Sequence, residues 1–135
     1  MTDTKKTRAL IADDENHVRR LLKSVVQKMN CDVVGEAKNG QEALDIFRKE
    51  KPDLLLLDIN MPYKTGDEVL EEIMTEFPNA FVIMLSSIAD AESVEKCLEL
   101  GAANYLRKDT PLTQMKQIIF ETWRNFRLNK EGGRG

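Results

Sequence analysis

Leu54-Leu55-Leu56-Leu57-Asp58-Ile59-Asn60-Met61-Pro62 is the stretch on which the reading of this chain turns. So short a leucine run, bounded by Pro52-Asp53 and by Met61-Pro62, reads as a strand buried on both faces. Its first charge, Asp58, stands at the strand's carboxyl end. In an open α/β sheet that edge is where ligands bind. A second apolar run, Ala9-Leu10-Ile11-Ala12, ends the same way, in Asp13-Asp14-Glu15.

Working outward, strand and helix patterns alternate five times. Strands are expected at 8–13, 32–37, 53–57, 80–85 and 102–107. The helix at 16–29 shows an apolar stripe of Val18, Leu21, Leu22, Val25, Val26 and Met29. Asn39-Gly40 opens a second helix carrying Ala43, Leu44 and Phe47. Further helices are expected at 67–77 (Val69, Leu70, Ile73 and Met74 inward), 89–100 (Val94, Cys97 and Leu98) and 111–128 (Met115, Ile118, Ile119, Thr122, Trp123 and Phe126). This alternation implies a doubly wound α/β fold, a flavodoxin-like (βα)5 parallel sheet of order 2-1-3-4-5. The switch point then falls between the strands that deliver Asp13-Asp14 and Asp58. Residues 1–128 form one domain, and the apolar-free segment 129–135 is expected to be a disordered tail or the start of a linker.

At 135 residues, with 41% apolar and 32% charged residues, the chain has room for one real core. A net charge of −3 leaves no electrostatic footprint for direct nucleic-acid binding or for an anionic membrane. No apolar stretch approaches the roughly 20 residues of a membrane span. Cys31 and Cys97 lack metal spacing, and two free thiols suit a cytoplasmic setting. His17 has no metal-binding neighbour in sequence and reads as surface. Trp123 and Phe126 read as core.

Strand ends gather the chemistry: Asp13 and Asp14, then Asp58, then Ser86 and Ser87, then Lys108. Three carboxylates within a few ångströms need a positive partner. A hard divalent cation with oxygen ligands answers that need, and Mg²⁺ (or Mn²⁺) fits best because it accepts few carboxylates and bridges to phosphate. Lys108 adds a point charge suited to an anion, and the Ser86 hydroxyl can donate to a phosphoryl oxygen. No base-paired Ser, Cys or His nucleophile is visible, so a nucleophile would be a carboxylate, with Asp58 central.

These motifs, in order and each at a strand end, resemble CheY-like receiver domains of two-component response regulators. The resemblance covers roughly residues 7–127 and rests on Asp13-Asp14, Asp58-Ile59-Asn60-Met61-Pro62 with Gly66, Ser86-Ser87, and Tyr105-Leu106-Arg107-Lys108. It implies that Asp58 is the phosphoacceptor, taking a phosphoryl group from a sensor histidine kinase or a histidine phosphotransfer protein. Asp14, Asp58 and the Asn60 backbone carbonyl would ligate Mg²⁺, with Asp13 acting through water. Lys108 would pair with Asp58, Ser86 would swing toward the phosphoryl group, and Tyr105 would follow inward. The readout face would be helix 4, strand 5 and helix 5, presented to an output protein or domain, with phosphorylation-dependent homodimerisation as a further implied partnership. Such a domain is a phosphoacceptor switch that promotes its own phosphorylation and dephosphorylation, rather than a turnover enzyme.

Two departures from the family pattern stand out. Lys108-Asp109-Thr110-Pro111 replaces the usual Lys-Pro and is similar to receivers that carry helix-turn-helix output domains. Ile88, beside Ser87, replaces a commonly polar residue and would modulate the lifetime of the phosphorylated state. Both a stand-alone receiver and one excised from a larger regulator suit the chain. Competing readings are a Mg²⁺-dependent phosphatase with an aspartyl intermediate, which Asn60 in place of a second Asp disfavours, and an FMN carrier, which Asp13-Asp14-Glu15 would repel. A docking pseudo-receiver is disfavoured by the complete set of acids, hydroxyl and lysine.

Overall fold

A computed structural model of the chain describes residues 6–87 and 90–132. Apolar strands alternate with amphipathic helices in the order β1 (Thr7–Ala12), α1 (Asn16–Lys28), β2 (Cys31–Ala37), α2 (Gly40–Glu50), β3 (Leu54–Asp58), α3 (Gly66–Glu76), β4 (Val82–Ser86), α4 (Ala91–Leu100), β5 (Asn104–Arg107) and α5 (Leu112–Gly132). The five strands form one parallel sheet of order β2-β1-β3-β4-β5. This is the flavodoxin-like α/β fold expected from the alternation.

Strand pleating divides the core in two, because successive side chains point to opposite faces. Leu55 and Leu57 join Leu10, Ala12, Val82 and Met84 in a cluster closed by Leu44 and Phe47 of α2, Val69, Leu70 and Ile73 of α3, and Cys97 of α4. Leu54 and Leu56 join Ala9, Ile11, Ile83 and Leu85 in a second cluster, closed by Leu22, Val25 and Val26 of α1 and by Met115 and Ile119 of α5. All four leucines are buried, as a parallel strand covered on both faces requires. Trp123 and Phe126 pack at the rim of the second cluster against Phe81, with ring centroids 5.0 and 4.7 Å away.

Local signals set the helix ends. Asn39 Oδ1 accepts from the Glu42 N–H at 2.9 Å, and Glu42 Oε1 accepts from the Lys38 N–H at 2.8 Å. At α3, the Glu68 side chain accepts from the Thr65 N–H at 3.0 Å. Gly101 ends α4 with φ 118°, the left-handed geometry glycine tolerates.

Two expectations need correction. The segment expected as a tail from Asn129 continues α5 through Gly132, because Asn129, Lys130 and Glu131 place no breaker before the glycines. Leu98 lies 40% exposed, and Leu100 packs against the core in its place, since α4 touches the sheet along a narrow line through Cys97. The β1–β2 register shifts between Ala9 and Leu10, so Val34 bulges from the pairing. All described peptide bonds are trans, Lys108–Asp109 included. Ile88 lies outside the described residues, as does Ala89, at the expected start of the fourth helix. Among the described residues no helix is long and apolar enough to cross a membrane.

Candidate functional site

The carboxyl edge of the sheet collects the chemistry. Asp13 directly follows β1, its N–H donating to the Ala37 carbonyl at 3.0 Å, and its side chain is buried. Asp58 is the last residue of β3 and Ser86 the last of β4, both 1% exposed. Lys108 follows β5, anchored by its N–H to the Ser86 carbonyl at 2.9 Å. Asp14 stands on the exposed rim.

Among the described residues, Asp13, Asp14 and Asp58 each offer a carboxylate oxygen within 4.8 Å of the others. Asp13 Oδ1 is fixed by the Glu15 N–H at 2.9 Å, and Asp58 Oδ1 by the Asn60 N–H at 3.1 Å. Asp58 Oδ2 and Ser86 Oγ are buried without a hydrogen-bond partner. A buried polar atom left bare costs free energy unless a ligand completes it.

Lys108 Nζ lies 2.8 Å from Asp13 Oδ2, 3.1 Å from Asp58 Oδ1 and 3.5 Å from Glu15 Oε1. The sequence suggested a pairing with Asp58, yet the shortest contact is to Asp13; the ammonium divides itself between them. Burial pushes the Asp58 carboxyl up to about 7, the Asp13 charge adds to the rise, and Lys108 only partly offsets it. Burial also works against charge on Lys108, but Asp13 and Asp58 outweigh it and hold the ammonium above its ordinary range. The donor set is hard oxygen, acidic and short of positive charge, which fits a divalent cation.

Around this centre, Tyr105 is 41% exposed, its ring outside the core. A cavity of about 210 Å³ lies between it and Ser86, lined also by Ser87, Ala91, Val94 and Arg107. His17 is exposed, as read from sequence. Gly66 was quoted from sequence as part of a motif, and its necessity is spatial. A Cβ there would lie 2.1 Å from the Asp58 carbonyl oxygen and 2.8 Å from Ile59 Cα, so only glycine lets α3 start against the Asp58 main chain.

The sequence reading missed two residues. Arg19 is 8% exposed, with Nη1 donating to the Asp13 carbonyl at 2.8 Å, Nε to Glu36 Oε1 at 3.3 Å, and Nη2 to Asn16 Oδ1. It ties the Asp13 main chain to α1 and β2. Its signal was a charge on the apolar stripe shared with Leu22 and Val26. Asp90 is buried and accepts from the Asn60 side chain across the site at 2.7 Å. Thirty residues separate that pair, and no local pattern announces it.

The sequence pattern of the response regulator receiver domain matches residues 9–120. The chain belongs to this family. The receiver domain is 37% identical over 101 residues to the chemotaxis protein CheY of Thermotoga maritima, covering 75% of this chain and 84% of that one. It is 34% identical over 113 residues to protein CcdB of Bacillus subtilis, covering 84% and 94%. Among solved structures, CheY of Borrelia burgdorferi in complex with CheX, BeF₃ and Mg²⁺ superposes with a TM-score of 0.82 at 27% identity, covering 87% of this chain and 89% of that one. Regulators with longer chains also match; YhcZ, a transcriptional regulatory protein of B. subtilis, is 39% identical over 102 residues, 48% of its length.

Proposed function

We propose that this receiver domain accepts a phosphoryl group on Asp58 from the phosphohistidine of a sensor kinase or phosphotransfer protein. The observation that carries this is the bare, buried Asp58 Oδ2 beside two further acids and one lysine. A carboxylate oxygen of Asp58 attacks phosphorus in line while the P–N bond to the donor imidazole breaks. The imidazole leaves with the bonding pair and takes up a proton, and the product is an acyl phosphate. Asp14, Asp58 and the Asn60 carbonyl would hold Mg²⁺ (or Mn²⁺), with Asp13 acting through water. Bound there, the ion supplies neutralisation of the phosphoryl oxygens. Lys108 moves from its shared position between Asp13 and Asp58 toward the new anion.

Phosphorylation adds on the order of 1.5–2 negative charges at the sheet edge. Ser86 Oγ has no partner to give up and swings toward them. Tyr105 then turns from the surface into the neighbouring cavity, which reshapes the face formed by α4, β5 and α5. That face would engage an output protein or output domain, or a second phosphorylated copy. A cytoplasmic site of action suits the kinase donor. The likeness to CheY proteins and to transcriptional regulators supports a switch in signalling and leaves both kinds of output in view.

The test is direct. Incubated with Mg²⁺ and acetyl phosphate, the wild-type chain acquires a phosphoryl mass at Asp58, read by mass spectrometry after peptide cleavage. Asp58→Ala acquires none. An unlabelled wild type, or a labelled Asp58→Ala, overturns the assignment.

A further inference from the structure

Asp90 precedes α4, where an acid is ordinarily a helix cap. Its side chain makes no hydrogen bond to that helix. The carboxylate turns back instead. Oδ2 accepts from the Ser87 N–H at 2.8 Å and from Ser87 Oγ at 2.9 Å, and Oδ1 accepts from Asn60 Nδ2 at 2.7 Å. The residue is 8% exposed. Burial alone would raise its pKa, but the hydrogen bonds from Ser87 and Asn60, helped by the Lys108 charge, hold it below the ordinary carboxylate value.

These three donors belong to the two connections that flank Asp58. Asn60 lies two residues past Asp58. Ser87 directly follows Ser86, whose buried hydroxyl has no partner. An N–H, an O–H and a side-chain amide are the kinds of donor that stabilise an anion. All three are engaged by Asp90. We infer that Asp90 is a positioning residue, an internal stand-in for the phosphoryl anion that holds Asn60 and Ser87 in their unphosphorylated arrangement. This rests on the reading of Asp58 as phosphoacceptor. The two anions compete for the same donors and repel each other, so phosphorylation must displace Asp90, and its engagement biases the domain toward the off state.

The experiment uses the full chain with saturating Mg²⁺ and acetyl phosphate, comparing wild type, Asp90→Ala, Asp90→Asn and Asp58→Ala. The readouts are the initial rate of acyl phosphate formation and the Ser87 backbone amide signal by ¹⁵N NMR. Asp90→Ala is expected to phosphorylate about fivefold faster or more, the lower end of ordinary coupling between two states. Asp90→Asn keeps acceptor oxygen but not charge and falls between. In wild type, phosphorylation moves the Ser87 amide signal toward its position in Asp90→Ala, a displacement that a merely structural acid would not give. A folded Asp90→Ala that phosphorylates at the wild-type rate or slower overturns the inference. Should Asp90→Ala not fold, a wild-type Ser87 signal that phosphorylation leaves in place, or an Asp90→Asn no faster than wild type, overturns it equally. An unlabelled wild type, or a labelled Asp58→Ala, is a different failure: it removes the phosphoacceptor reading itself.

Discussion

Asp58 shares one lysine with Asp13, and that arithmetic governs its response to pH. An unfolded aspartate titrates near 3.9, whereas burial and the Asp13 charge place the folded Asp58 at about 7. Between those values the folded chain keeps a proton that the unfolded chain has released. Stability from this group is therefore full below the unfolded value and lost as pH rises to about 7, a fall on the order of 2–4 kcal/mol. A divalent cation takes the ionised form and competes with that proton. Millimolar Mg²⁺ should thus raise the melting temperature more at about pH 8 than at about pH 5, and Asp58→Asn should flatten the difference. Calorimetry with and without Mg²⁺ checks it; an equal shift at both values in wild type would count against metal binding through Asp58. Asp13, Asp58 and Ser86 could be read from sequence because each stands where a buried strand stops, and Lys108 because it follows the fifth strand of the alternation. Arg19 and Asp90 could not be read that way. Arg19 is held by Asp13 and Glu36 on other elements, and Asp90 by nearby Ser87 and by Asn60 across the site, so the apolar pattern alone did not single them out.

At the scale of elements, the start of α3 is set by contact with main chain rather than by a side chain. The Cβ of Gly66→Ala would meet the Asp58 carbonyl oxygen and the Ile59 Cα, neither of which is a flexible side-chain end. The expected loss is about 1–3 kcal/mol in urea unfolding, the usual range for forced overpacking. Acetyl phosphate labelling should fall with it, since relief of the clash shifts Asp58. Labelling at the wild-type rate in a destabilised Gly66→Ala would show that the Asp58 backbone does not need this support. Strand and helix identities were legible because the three central strands are nearly continuous apolar runs and each helix carries a 3.6-residue stripe. Ends were less so. Val34 bulges because β1 and β2 fall out of step, which no single strand reveals. The last helix ran beyond Leu128 because polar residues continue a helix as readily as apolar ones until glycine intervenes.

Across the whole molecule, the sheet separates two hydrophobic clusters. Leu55 and Leu56 are neighbours in the chain but pack in different clusters. Each truncation to alanine should cost about 2–5 kcal/mol. With no buried partner in common, the double variant should lose the sum, whereas Leu55→Ala with Leu57→Ala, in one cluster, should depart from it. Denaturant midpoints of the four variants decide this, and a strong coupling between Leu55 and Leu56 would refute the division. The partition also bears on how such a chain can change over generations. Substitutions that refit α4 to a new partner are absorbed among α2, α3 and α4, while α1 and α5 keep their own packing. The proposed partner face, however, draws α4 from one cluster and α5 from the other, so a change of partner is felt on both sides of the sheet, and the acids on the shared edge answer to both.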